Sequence, residues 1–198
     1  MSLFISSFTI GNPKCQTFDW RVPQNSGFLI GRFGFNANET ERLGRAYDKI
    51  TSDNCRKFFD ATLAALRQKG EIRSGFQTTP TNLAQTLSIT TINKYSSNLT
   101  ARDVGVSQKS WDNVRNHFEQ AQGFLTYTSG VTLADGRVFL GDNAFYQAGP
   151  ISQFYRKYTD LPGVIVHELF YRAGLSESQI KALHGEIQKN CGRPGDAL

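Results

Sequence analysis

Apolar residues recur every three or four positions in several stretches of the chain, which is the spacing of one buried helical face. The clearest case is the set Phe58, Phe59, Leu63 and Leu66. Polar N-cap residues at positions 52–54 precede this set, and Gly70 follows it as a helix stop. The pattern predicts a core-packing helix over residues 53–69.

The same reasoning predicts further helices and one hairpin. The predicted helices cover residues 39–50, about 80–87, 111–122, 151–158, 164–173 and 177–190. Runs rich in β-forming residues at 124–129, 131–133 and 137–140 flank the pair Asp135–Gly136, which is a strong hairpin signal. Residues 1–38 contain aromatic residues interrupted by Gly, Asn and Pro, a pattern typical of short strands and loops. Residues 76–107 are rich in Thr, Ser and Asn.

This order of helices, hairpin, long helix, turn and helix predicts an α+β fold class. A length of 198 residues favours a single domain over 1–198. We expect an irregular and β-containing part over 1–38 and a helical part over 39–122. The part over 123–198 is expected to hold the hairpin and the two last helices.

Composition and charge narrow the class of protein. A hydrophobic content of 39% and fifteen Phe residues indicate a folded domain. The net charge of +5 makes an acidic partner conceivable, but the 22 Lys and Arg residues are spread along the chain, which favours an ordinary solvated surface. No stretch predicts a membrane span, and the start does not resemble a signal peptide. A domain excised from a larger secreted protein would look the same, so the compartment stays open.

Cysteine usage leaves two interpretations open. Cys15, Cys55 and Cys191 contain no CxxC pair, which disfavours a cysteine-rich zinc site. Cys55 opens one predicted helix and Cys191 closes another. A disulfide between them and a pair of buried reduced thiols are both compatible with this placement.

The segment around His167 contains the candidate catalytic and metal-ligating residues. A zinc hydrolase needs two ligands four residues apart on one helical face, and a carboxylate beside the first ligand as general base. His167 and Glu168 occupy the first ligand and base positions, and Tyr171 stands where the second ligand would be. Gly174 follows as a turn residue. A histidine in so apolar a run would be costly to bury without a partner, which favours a site.

These residues resemble the HExxHxxGxx(H/D) pattern of zincin-type metallopeptidases, with Tyr in place of the second His. The resemblance implies a zincin-like fold, with a small β-hairpin or sheet packed on an active-site helix. It implies Zn²⁺ as cofactor, Glu168 as the catalytic base, and His167, Tyr171 and Glu177 at the metal-ligand positions. It also implies that the hairpin segment 137–145 is the edge strand that holds an extended peptide, with substrate-binding candidates Arg137, Phe139 and Leu140.

Tyr171 has three explanations at this level. It is a natural loss that leaves a pseudoenzyme, an introduced inactivating substitution, or a sign that the metal is held differently. A phenolate is a poor metal ligand because its reference pKa is about 10. His184 and Glu186 on the next predicted helix are candidates for a replacement, although a packed or exposed helix position accounts for His184 as well. His117 has no motif around it and is interpreted as structural.

Two segments also resemble the C-terminal domains of bacterial Rhs-type polymorphic toxins. They are 53–59, followed by a helix, and the terminal HEL…AGLS…NCG pattern. This resemblance implies an effector domain that is secreted or delivered within a larger polypeptide, although a cytoplasmic location stays open. It implies a protein or peptide substrate in a target cell and a cognate immunity or inhibitor protein.

Two other functions compete with a peptidase. The first is a non-catalytic module that uses the same cleft to bind a protein. The second is a nucleic-acid-binding or nuclease domain, which only the +5 charge suggests. The chain lacks a basic–aromatic stripe and a phosphate-cradling Gly loop, so we do not expect a nucleic-acid partner.

Overall fold

The computed structural model describes residues 29–30, 34–72, 79–119, 128–145 and 160–192. Most of the predicted β-containing part over 1–38, the run 124–127 and the predicted helix 151–158 lie outside these residues. So does Cys15.

Seven α-helices lie within the described ranges. Each of the predicted helices in these ranges is present, with ends shifted by a few residues. Positions 120–122 of the predicted helix 111–122 lie outside the described residues. The bounds are α1 Ala37–Ile50, α2 Asp53–Gln68, α3 Leu83–Ser88, α4 Ala101–Val104, α5 Gln108–Glu119, α6 Leu161–Arg172 and α7 Glu177–Asn190. A short 3₁₀ helix covers Asp142–Ala144. Only α4 had no counterpart among the predicted helices. Its four residues are too few for a periodic pattern.

One sheet of four described strands combines parallel and antiparallel pairs. The strands are β1 Leu29–Ile30, β2 Thr91–Lys94, β3 Gly130–Thr132 and β4 Arg137–Leu140, in the order β1-β2-β4-β3. β1 and β4 both run parallel to β2, and β3 runs antiparallel to β4. The β3–β4 pair is the predicted hairpin. The strand β2 was not predicted, because its four residues lie in a polar Thr- and Asn-rich region with little alternation.

Strand β4 is buried on both faces of the sheet. Val138 and Leu140 join a large core formed with α1, α2, α6 and α7. Phe139 points to the opposite face and packs with Trp111 of α5, their rings 5.6 Å apart. Successive strand residues point to opposite faces, so β4 lies between two hydrophobic layers.

The corner between α6 and α7 positions the candidate site. α6 is capped by Asp160, whose carboxylate accepts a hydrogen bond from the Gly163 amide. It ends at Arg172 with Ala173 as C-cap, and the next residue, Gly174, has a φ of +96°, which lies in the region that glycine adopts without strain. Ser176 then starts α7 with a capping box. The predicted turn at Gly174 is therefore present.

A disulfide joins Cys55 in the first turn of α2 to Cys191 at the end of α7. It decides between the two interpretations of these cysteines that the sequence left open. Both cysteines are fully buried. The bond ties the far end of α7 to the core.

The fold class is α+β, as predicted: helices pack on both faces of a small mixed sheet. Among the residues described, no helix has both the length and the apolar character that a membrane crossing requires.

Candidate active site

Helix α6 exposes a single stripe. Of its twelve residues, ten are buried, and only His167 and Tyr171 are partly accessible. These two positions are four apart and lie on one helical face. Their rings meet edge to face with centroids 5.1 Å apart. The side-by-side projection predicted for positions 167 and 171 is present in the structure.

Helix α7 presents a second polar stripe to the same space. Glu177, Lys181 and His184 are spaced at i, i+4 and i+7 and border the cleft together. His184 Nε2 shares a hydrogen bond of 3.0 Å with Nδ1 of His167. On the other side of the ring, Nε2 of His167 lies 3.9 Å from the Glu177 carboxylate. His167 is therefore set between a second histidine and a carboxylate.

Glu168 lies beneath strand β3. It is 4% exposed, and its Oε2 accepts a hydrogen bond of 2.5 Å from the Thr132 hydroxyl. Gly130, two residues earlier on the same face of β3, leaves the space that the carboxyl group fills. A Cβ at position 130 would come within 2.8 Å of Oε1 of Glu168. Thr132 and Gly130 together fix where the Glu168 side chain lies.

These groups surround an open cleft of about 810 Å³. Residues 128–132, which include the whole of β3, form one wall, and α6 and α7 form the other. Within the described residues β3 is an edge strand, paired only with β4. The exposed His117 of α5, interpreted from sequence as structural, also borders this cleft.

Burial shifts the pKa values of three groups in the cleft. Desolvation raises the pKa of Glu168 to about 7, against the hydrogen bond from Thr132, and repulsion from Glu177 adds to the rise. Desolvation lowers the pKa of His167 to about 4, and the positive charges of His184 and Lys181 add to the effect. The pKa of His184 is lowered as well, again chiefly by burial. At neutral pH both imidazoles are uncharged, and Glu168 lies close to its titration midpoint.

The three predicted substrate-binding residues lie away from this cleft. Arg137, Phe139 and Leu140 belong to β4, which is an interior strand and not the edge expected from the sequence. Phe139 and Leu140 are fully buried in the two cores. The guanidinium of Arg137 is bound to Asp135 and to the carbonyl oxygens of Val104 and Gly105. The strand that borders the cleft is β3, one strand further out.

The donor set has the chemistry of a transition-metal site, but it is not arranged as a closed one. Two neutral imidazoles and a carboxylate suit zinc and similar ions. Within the described ranges, however, no group of three or more His, Cys, Asp or Glu is positioned to hold a metal ion. The reason is local: His167 turns Nδ1 to His184 and Nε2 toward Glu177, and one nitrogen cannot serve both directions.

The two replacement candidates on α7 differ in position. His184 touches His167, whereas the exposed Glu186 pairs with Asn190 and Lys189 near the end of the helix. Sequence reasoning did not single out Thr132 or Lys181. The only available signal for Lys181 was its i+4 spacing from Glu177, and Thr132 becomes relevant only once β3 lies over α6. No protein-family model, curated protein or solved structure matches this chain.

Proposed function

We propose that this chain is a zinc-metallopeptidase-like domain that acts on extended peptide segments and is impaired by Tyr171 at the second ligand position. One observation carries the proposal. His167 and Glu168, adjacent on α6, both border a cleft whose opposite wall is β3, an edge strand within the described part of the chain. A hydrolase that cuts peptides needs a base and an electrophile at the floor of such a cleft, with a strand to hold the substrate.

The edge strand supports a peptide substrate over a small molecule. An edge strand presents unpaired amide and carbonyl groups along its free side. An extended peptide can pair with those groups and add a strand to the sheet. Among the described residues, Gly130–Thr132 pair only with β4, and this strand lines the cleft together with Glu168 and His167.

Glu168 is suited to move a proton. A general base works best when its pKa lies near the operating pH, and burial holds the pKa of Glu168 at about 7. In the proposed reaction Glu168 takes a proton from the attacking water and passes it to the leaving amine. Thr132 keeps the carboxyl group oriented through its hydroxyl. Zinc, when bound, would supply the Lewis acid that polarises the scissile carbonyl, with His167 and Glu177 at ligand positions.

The disulfide supports the biological setting implied by the resemblance to polymorphic toxins. Structural disulfides persist in oxidising compartments, and Cys55–Cys191 is a buried one. This fits a domain that is secreted or delivered as part of a larger polypeptide. Its substrate would be a protein of the target cell, and an immunity protein would cover the cleft in the producing cell.

Restoring the second ligand tests the proposed function. We expect Tyr171→His to cleave casein or unstructured peptides in the presence of Zn²⁺. The matched control is Tyr171→His combined with Glu168→Gln, which should keep zinc and lose cleavage. A Tyr171→His protein that is folded and zinc-loaded, yet cuts neither substrate, would refute the proposal.

A second candidate is a non-catalytic module that binds a protein in the same cleft. Tyr171 favours it, because a phenol is a poor ligand at the second metal-ligand position. This candidate predicts that neither the original chain nor Tyr171→His is active. It also predicts a stable protein complex that is lost when bulky residues are introduced along β3.

A further inference from the structure

We propose that His184 supplies the second nitrogen ligand in place of Tyr171, so that the chain binds a divalent transition metal through one histidine from each of two helices. The inference deepens the proposed function and rests on it for the identity of the cleft. It replaces the i, i+4 pair on one helix with a pair across the α6–α7 corner. Glu177, beside His167, is the carboxylate that joins them.

The separation of the two imidazoles is close to that of a shared metal. Two nitrogens bound to one tetrahedral zinc, each at about 2.0–2.1 Å, lie roughly 3.3 Å apart. Nδ1 of His167 and Nε2 of His184 are 3.0 Å apart. A metal between them would replace their hydrogen bond and widen the gap by only a few tenths of an ångström.

Nδ1 of His167 and Nε2 of His184 are hydrogen-bonded to each other. Both histidines line the cleft and are only partly exposed, so a bound ion would be reached from solvent through the open side. The Tyr171 ring meets the His167 ring edge to face, and its phenol is a poor ligand at neutral pH. His184 is the other imidazole within bonding distance of His167, and no further nitrogen ligand is needed.

Glu177 lies on the Nε2 side of the His167 ring, opposite the Nδ1 side that faces His184, so it completes the set only after its half-exposed side chain turns toward the histidine pair. Its carboxylate lies 3.9 Å from Nε2 of His167, and Lys181 holds it from 3.0 Å. That ion pair lies at the surface, where such pairs contribute little to stability. The carboxylate can therefore leave Lys181 and turn toward the histidine pair at a small cost in free energy. The present arrangement explains why no three-ligand group is closed in the described residues.

Cobalt titration tests this ligand set without any need for activity. The chain is first stripped with a chelator and then titrated with Co²⁺ while the visible d–d absorption is recorded. We expect one equivalent to bind. His184→Ala should weaken the affinity at least tenfold, and Glu177→Gln should weaken it less.

Two controls use the chain's own residues. The chain has three histidines, and His117→Ala removes the one at the cleft rim that is not part of the pair. It should leave the cobalt affinity within twofold of the original. Tyr171→Phe should do the same, which separates imidazole ligation from phenolate ligation. Circular dichroism confirms that each variant is folded.

A ligand swap keeps the test decisive if His184→Ala does not fold. His184→Cys places a thiolate in the same position, and cobalt bound through it should show a thiolate-to-metal charge-transfer band that the original chain lacks. No cobalt binding by the original chain, or unchanged binding by His184→Ala, would overturn the inference. If the original chain binds nothing but Tyr171→His binds zinc and cuts peptides, the inference fails and the proposed function stands. If the cobalt results hold and Tyr171→His never cuts, the proposed function fails and the ligand set stands.

Discussion

The hydroxyl of Thr132 on β3 and the carboxyl group of Glu168 on α6 are joined by a hydrogen bond of 2.5 Å beneath the edge strand. This bond links the wall of the cleft to its floor. It also affects the pKa of Glu168. The hydrogen bond favours the ionised carboxylate, whereas burial opposes ionisation.

The first prediction concerns Glu168 and pH. Its pKa rises from an ordinary 4.5 to about 7 on folding, so the folded state holds more protons than the unfolded state between these values. The stability contribution is therefore present below pH 4.5 and is lost as pH rises through 7. His167 acts in the opposite direction: its pKa falls from 6.5 to about 4, so its contribution grows as pH rises over that range.

The Glu168→Gln variant isolates the contribution of the carboxyl group to the pH dependence of stability, since the amide oxygen can still accept a hydrogen bond from Thr132. We expect the stability of the variant, relative to the original chain, to increase by roughly 3 kcal/mol between pH 4.5 and 8. Urea unfolding of the metal-free chain in a chelator, at several pH values, measures this. Parallel stability curves for the two proteins would contradict the buried, raised-pKa state of Glu168.

The second prediction concerns the space at Gly130. A methyl group there would meet Oε1, Cγ and Cδ of Glu168 at 2.8–3.0 Å, so either β3 or the carboxyl group must move. We expect Gly130→Ala to lower the free energy of unfolding by about 1–3 kcal/mol. In the Glu168→Ala background the same change should cost far less, because the group it collides with is gone.

Gly185→Ala is the matched control for this change. Position 185 lies within α7 with open space around a Cβ. Alanine there should raise stability by up to about 1 kcal/mol through helix propensity. Equal costs for Gly130→Ala with and without Glu168 would show that the two residues do not touch.

The third prediction concerns the disulfide. Cys55 and Cys191 are 136 residues apart, and the bond anchors the end of the helix that carries His184. The variant with both cysteines changed to Ser should lose about 2–5 kcal/mol of unfolding free energy. Reduction of the original chain should produce a similar loss, and the double variant should be insensitive to the reductant. Identical unfolding curves with and without reductant would mean that the bond is not formed.

The fourth prediction separates β4 from the substrate. Phe139 is fully buried against Trp111, so Phe139→Ala should cost about 3–5 kcal/mol of stability. In the Tyr171→His protein, Arg137→Ala should leave the KM for a peptide unchanged, because its guanidinium is engaged away from the cleft. Thr132→Val should instead alter the pH profile of cleavage through Glu168. A raised KM for Arg137→Ala would indicate that β4 contacts the substrate.

Local sequence pattern is enough to predict several elements of this fold. α1, α2 and α7 agree with the prediction to within a few residues because caps and apolar spacing are local features, and Gly70 follows the end of α2. The hairpin followed from Asp135–Gly136 for the same reason. β2 was missed because a strand of four residues owes its stability to partners 45 or more residues away, which its own sequence does not name.

The sequence by itself determined the α+β class, the turn at Gly174 and the placement of His167 and Tyr171 on one helical stripe, since each depends on spacing along a few residues. Only the tertiary structure decided that β3 and not β4 borders the cleft, that Thr132 and Gly130 enclose Glu168, and that His184 meets His167. These relations depend on how separate elements pack, and packing is set by shape and burial summed over the whole core.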